Sequence, residues 1–153
     1  MVKKIKHMAV AVEDVDAAVE RYQALMDIGE PKRGEWKEGR SREAHFFFGE
    51  VQIQLCQSTD PEGRFAQHIA RSGEGVQHIC LEVDNIDDAI EHALAQGAVL
   101  KPCQAHGTVG SHAHTEGWVA FLEGHAVPGF EIEYMQVYRD GEMPERFKKS
   151  RQI

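Results

Sequence analysis

Two histidines carry the first chemical signal in this chain, because His7 and His78 occupy equivalent places in a duplicated segment. Sliding the sequence by 71 positions lays Leu81 on Val10, Val83 on Val12, Ile86 on Val15, Asp87 on Asp16, Ala89 on Ala18, Ile90 on Val19 and Glu91 on Glu20, with no gap. A lone strand histidine is usually structural. Two at matching places of a module repeated only twice read instead as paired ligands about a pseudo-twofold axis. Later in each module, Gln54 and Glu133 lie on strand faces turned away from the apolar side. Gln52 and Glu131 share those faces, so the alternation leaves a register ambiguity of two residues. Two imidazole nitrogens and two side-chain oxygens suit one divalent first-row metal per chain, cobalt, manganese, nickel, iron or zinc, with positions left for water or substrate. A single carboxylate leaves about one unit of positive charge, which favours a chelating anionic or enolate-like ligand.

The elements that must position these residues follow from periodicity. In residues 5 to 12, Met8, Val10 and Val12 share one face while His7, Ala9 and Ala11 share the other. Asp14 reads as an N-cap. Val15, Ala18, Val19, Tyr22 and Met26 then recur at helical spacing, and Gly29 and Pro31 close the helix. Trp36 anchors a short strand, and residues 43–48 and 51–56 form a hairpin across Gly49 and Glu50. Module one, residues 4–57, is therefore βαβββ. A connecting helix with Phe65 and Ile69 inward occupies 60–75 and ends in Ser-Gly-Glu-Gly. Module two, residues 76–137, repeats the plan. Ile79, Leu81 and Val83 face a helix capped by Asn85 and closed near Gly97, Val99 begins a short strand, and residues 118–122 and 130–135 form the last hairpin. The linker is short enough that one domain, 1–153, is expected to share one core. The fold class is α+β, with the two modules curling their sheets around one concave cavity.

Composition bounds the rest. At 153 residues the chain buries enough surface to fold unaided. A formal charge of −8 argues against nucleic acid, and the basic tail at 138–153, with Arg146, Lys148, Lys149 and Arg151, reads as a solvated terminus. No apolar run is long enough for a membrane span, and the start lacks a signal core, so a cytoplasmic protein is expected. Cys56, Cys80 and Cys103 are odd in number and widely spaced, which suits reduced buried thiols rather than disulfides or a paired-cysteine zinc site. The loop at 103–117 carries His106, His112 and His114 and reads as a flexible surface loop or lid rather than a second metal site. Nucleophile elbow, phosphate-binding glycine loop and dinucleotide fingerprint are all missing.

The paired His-x-[Ala/Cys]-[Val/Leu]-x-Val segments resemble the vicinal oxygen chelate superfamily. So do the Arg-Ser-Gly-Glu-Gly-Val-Gln-His-Ile-Cys-Leu-Glu-Val-Asp-Asn-Ile join and the Val-Ala-Phe-Leu and Gly-Phe-Glu-Ile-Glu segments. The similarity spans residues 5–136, and the Gly-Glu-Gly-x-x-His-Ile join is most similar to methylmalonyl-CoA epimerase-like members. The resemblance implies an open eight-stranded barrel-like sheet, a homodimer, and His7, Gln54, His78 and Glu133 as metal ligands. It further implies isomerase chemistry in which a proton alpha to a carbonyl is removed and the enolate is stabilised by the metal, on a small molecule such as an acyl-CoA. Glu133 then supplies one base. The second glutamate of some epimerases aligns nearest His45, with Glu43 on the same face two residues away. That departure leaves His45 and Glu43 both as candidates and keeps three alternatives open: a glyoxalase I-type lyase, a dioxygenase, and a non-catalytic small-molecule-binding protein of the resistance type.

Overall fold

The computed structural model describes residues 1–124 and 126–148; Lys149 and Arg151 of the basic tail lie outside the described residues. The chain divides into two compact units, His7–His78 and Met1–Lys6 with Ile79–Ile153. The division falls at Lys6 and His78 rather than at the module ends 57 and 76. The first six residues belong with the second unit because the Asp84 N–H donates to the Met1 carbonyl at 3.2 Å and Lys3 Nζ meets Glu82 at 3.1 Å.

In the unit His7–His78, strands run in the order β2 (Lys32–Trp36), β3 (Ser41–Phe48), β4 (Val51–Ser58), β1 (Val2–Ala11, of which His7 onward belongs here). The β3–β4 hairpin is antiparallel, and β1 lies parallel to β4. Helix α1 (Val15–Met26) starts where expected: Asp14 Oδ1 accepts from the N–H groups of Asp16 and Ala17 at 2.9 and 3.1 Å. It ends earlier than its glycine signal, because Asp27 itself takes the left-handed conformation at φ 50°, which short polar side chains tolerate. Val15 and Val19 of α1 pack with Val12, Ala44, Phe46 and Leu55, the apolar face that alternation assigns to β1, β3 and β4. Helix α2 (Arg64–Ser72) starts four residues later than Asp60. Ser58 Oγ accepts from the Ala66 N–H at 3.0 Å, and a Cβ on Gly63 would stand 2.4 Å from that oxygen, so glycine is required at the entry. Phe65 and Ile69 of α2 pack on Ala9, Ala11 and Cys56, covering one end of the opposite sheet face.

In the other unit the order is β5 (Gly75–Val83, of which Ile79 onward belongs here), β9 (Glu131–Val137), β8 (Gly117–Leu122), β6 (Leu100–Lys101). Helix α3 (Ile86–Ala95) is capped by Asn85, whose Oδ1 accepts from Asp87 and Asp88 N–H at 2.9 and 3.1 Å. Its apolar side packs with Val83, Ala120, Leu122 and Ile132. A short β7 (His112–Ala113) also pairs with β8, and α4 (Glu145–Lys148) follows β9. The class is α+β with two βαβββ-type modules, as the sequence predicts. Nine strands occur among the described residues where the pattern predicts eight, the extra one being β7 inside the loop read as flexible. No helix among the described residues is long and apolar enough to cross a membrane.

Candidate metal and acid–base site

One sheet face of the unit His7–His78 collects most of the residues singled out by sequence. The registers pair His7 with Gln52, Ala9 with Gln54 and Ala11 with Cys56 across β1 and β4, and Glu43 with Cys56 and His45 with Gln54 across β3 and β4. Cross-strand partners point to the same side. His7, Gln52, Gln54, Glu43 and His45 therefore share the face opposite α1, and α2 closes its Ala11–Cys56 end.

His7 and His78 are both buried, with their Nε2 atoms 3.2 Å apart. His78 Nδ1–H donates to Gln77 Oε1 at 2.6 Å, which leaves Nε2 as the lone-pair nitrogen, and Phe65 stacks on the ring at 6.4 Å. Two nitrogens bound to one cation at ~2.0–2.1 Å in tetrahedral array stand ~3.3 Å apart, so these imidazoles fit a shared divalent ion. Gln54 Nε2 donates to Gln52 Oε1 at 2.7 Å, which turns its carbonyl oxygen into the atom available to a cation. Gln77 was missed by sequence reasoning because strand alternation turns it away from the His78 side.

Glu43 and His45 are not alternatives but partners. Ser41 Oγ–H donates to Glu43 Oε1 at 2.7 Å, His45 Nε2–H donates to Glu43 Oε2 at 2.8 Å, and Gln52 Nε2 donates to His45 Nδ1 at 3.2 Å. With the Gln54–Gln52 bond, every donor points in one direction, from Gln54 through Gln52 and His45 to the Glu43 carboxylate. Burial pushes the Glu43 carboxyl up, but the hydrogen bonds from His45 and Ser41, with the charge of Arg64, more than offset it and leave it below its usual value. A buried carboxylate held ionised against an imidazole is an acid–base dyad.

Glu133 stands in the other unit, on β9, buried to 4 % exposure and paired across β8 with Phe121. Its neighbour on the same face, Glu131, is bound to Lys101 Nζ. The repeat gives an internal ruler: Gln57 Oε1 accepts from the Val15 N–H at 3.1 Å, and Gln136 Oε1 accepts from the equivalent Ile86 N–H at 2.9 Å. Counting back three residues from each makes Gln54 and Glu133 the equivalent positions.

The same unit holds a cluster the sequence reading set aside. Cys103, His106 and His112 place ligand atoms within 4.8 Å of one another, and the His114 ring lies 5.3 Å from that of His106. Burial alone would push the Cys103 thiol up, yet polar contact from the His112 and His114 imidazoles and hydrogen bonds from the His106 and Ala105 backbone bring it down to about 5. His112 is shifted up: burial opposes its charge, while Cys103, the Gly110 carbonyl and Glu133 favour it. Cys56 and Cys80 behave as expected of buried thiols, pushed well up by burial.

The model of the Glyoxalase/Bleomycin resistance protein/Dioxygenase superfamily matches residues 6–116. The chain belongs to that superfamily, which fits its duplicated α+β fold. Similar solved structures include methylmalonyl-CoA epimerase from Mycobacterium tuberculosis, with 23% identity, TM-score 0.73 and 90% of each chain covered. A Streptomyces coelicolor methylmalonyl-CoA epimerase variant in complex with 2-nitronate-propionyl-CoA has 25% identity and TM-score 0.70, with 90% of this chain and 96% of that one covered. Hypothetical protein BH1468 from Bacillus halodurans C-125 has 22% identity and TM-score 0.72, with 91% and 97% covered. No curated protein matches the sequence.

Proposed function

We propose that this chain is a divalent-metal-dependent isomerase of the methylmalonyl-CoA epimerase type, removing a proton alpha to a carbonyl of a 2-acyl thioester acid. The observation that carries the reading is the one-way hydrogen-bond chain from Gln54 through Gln52 and His45 to Glu43, which joins a candidate metal ligand to an acid–base dyad on one sheet face. His7, Gln54 and His78 are the holding residues. Glu133 enters as the carboxylate ligand and second base from the family resemblance. When bound, the cation supplies Lewis-acid stabilisation of charge developing on the substrate carbonyl oxygens. His45 Nδ1 is the basic atom: the substrate C–H replaces the Gln52 amide against it, and the proton that arrives makes an imidazolium whose charge faces Glu43 across 2.8 Å. Ser41 and His45 keep Glu43 ionised for that purpose. Likeness to epimerases crystallised with acyl-CoA analogues supports a coenzyme A thioester as the substrate class.

The test is deuterium exchange at C2 of a methylmalonyl thioester in heavy water, with metal content measured on the same sample. Exchange by metal-loaded wild type, lost in His78→Ala together with one equivalent of metal, is the expected result. Full metal occupancy with no exchange would remove the epimerase reading and turn attention to thiohemiacetal isomerisation.

A further inference from the structure

The Cys103 loop is built like a closed metal site in its own right. Gly107 and Gly110, with positive φ of 66° and 85°, turn the chain back on itself, and the Gly107 N–H donates to the Cys103 carbonyl at 2.7 Å while the Cys103 N–H donates to Thr108 at 2.9 Å. These turns bring three imidazoles round one sulfur. His106 Nδ1 lies 3.6 Å from Cys103 Sγ. In a tetrahedral site with Zn–S ~2.3 Å and Zn–N ~2.0–2.1 Å, sulfur and nitrogen stand ~3.5 Å apart. His112 Nδ1–H donates to the Gly110 carbonyl at 2.9 Å, which fixes the tautomer and leaves Nε2 as a lone pair. That Nε2 is buried and has no hydrogen-bond partner of proper geometry. An outer carbonyl that orients one imidazole nitrogen while the other points inward is the usual arrangement of a ligand histidine. The rings of His106, His112 and His114 meet pairwise edge-on, at 73–78° and 5.3–6.4 Å between centroids, as rings aimed at a common point do. The frame is anchored on two sides. Tyr138 O–H donates to the His114 carbonyl at 2.7 Å and accepts from the His114 N–H at 3.1 Å, and Ser111 Oγ–H donates to Asp87 at 3.0 Å.

We propose that Cys103, His106, His112 and His114 form a second, structural site for a borderline-soft divalent cation, zinc by preference, which pins the loop onto β8. Cys103, His106 and His112 already gather their ligand atoms, and His114, whose side chain contacts the Cys103 sulfur, would complete a tetrahedral shell with no open position, the mark of a structural rather than a catalytic centre. His106 is solvent-exposed and gives the ion its way in. Because the ligands expected at the other centre are nitrogen and oxygen only, sulfur distinguishes the two sites.

The experiment is cobalt(II) titration of the metal-stripped full chain, followed by absorption spectroscopy with total cobalt measured in parallel. The expected result is a sulfur-to-cobalt charge-transfer band with strong tetrahedral d–d bands, saturating at one equivalent. Cys103→Ser should abolish the band and lower total cobalt by one equivalent, and His106→Ala, at an exposed position, should weaken binding more than tenfold. Cys80→Ser and His78→Ala should both retain the band, the latter even if the other centre proves metal-free. No charge-transfer band in folded wild type, or a band that survives Cys103→Ser or His106→Ala with unchanged affinity, would overturn the proposal, as would its loss in His78→Ala or Cys80→Ser.

Discussion

His45 and Glu43 show why a residue's role depends on its neighbour. Either could be a base alone. Bonded at 2.8 Å, they would divide the work in the proposed reaction, with the ring moving the proton and the carboxylate holding the charge. His45→Ala is expected to lower the C2 exchange rate by about 10²–10⁴-fold, and Glu43→Gln to lower it while metal content stays unchanged; heavy-water exchange and metal analysis on the same protein check both. The depressed carboxyl of Glu43 also has a stability consequence. An acid held below its ordinary value when folded contributes stability that is present above the unfolded carboxylate range and is lost as pH falls through the lowered value. Urea midpoints measured from pH 7 down to 3 should therefore fall more steeply for wild type than for Glu43→Gln. Parallel curves would contradict the assignment.

At the level of elements, the two modules begin their helices in the same way. Asp14 and Asn85 each accept from two backbone N–H groups at 2.9 and 3.1 Å, satisfying donors that the first helical turn leaves without partners. Asp14→Ala and Asn85→Ala should each cost about 1 kcal/mol, read by chemical denaturation. Helix α2 has a different task, closing one end of the face that carries His7 and Gln54 with Phe65, which is fully buried and stacks on His78. Phe65→Ala is expected to cost about 3–5 kcal/mol and, by loosening the His78 ring, to weaken cobalt binding. A variant destabilised to that extent but with wild-type metal affinity would show that Phe65 does not hold the ring.

For the whole molecule, the metal proposed above would be a folding partner. An ion that binds only the folded chain raises stability by ~2.7 kcal/mol at a hundred times its dissociation constant. Cobalt added to stripped protein should thus raise the thermal midpoint, and a chelator should reverse it. Cys103→Ser and His78→Ala should each remove part of the rise if two centres exist. Much of this organisation is legible without coordinates. The offset of 71 residues aligns His7 with His78 and Asp14 with Asn85, and alternation in β1, β3 and β4 sorts His7, Gln54, Glu43 and His45 from the apolar face. Periodicity and capping are local properties, written within a few residues of each position. Four features are not local: the hydrogen-bond chain through Gln52, the back-turned Gln77, the attachment of Met1–Lys6 to the second unit, and the three imidazoles closing on Cys103. Each depends on cross-strand register or loop closure between positions that carry no shared pattern. The sequence by itself determined which residue types line each strand face, and only the tertiary structure decided which of their atoms meet.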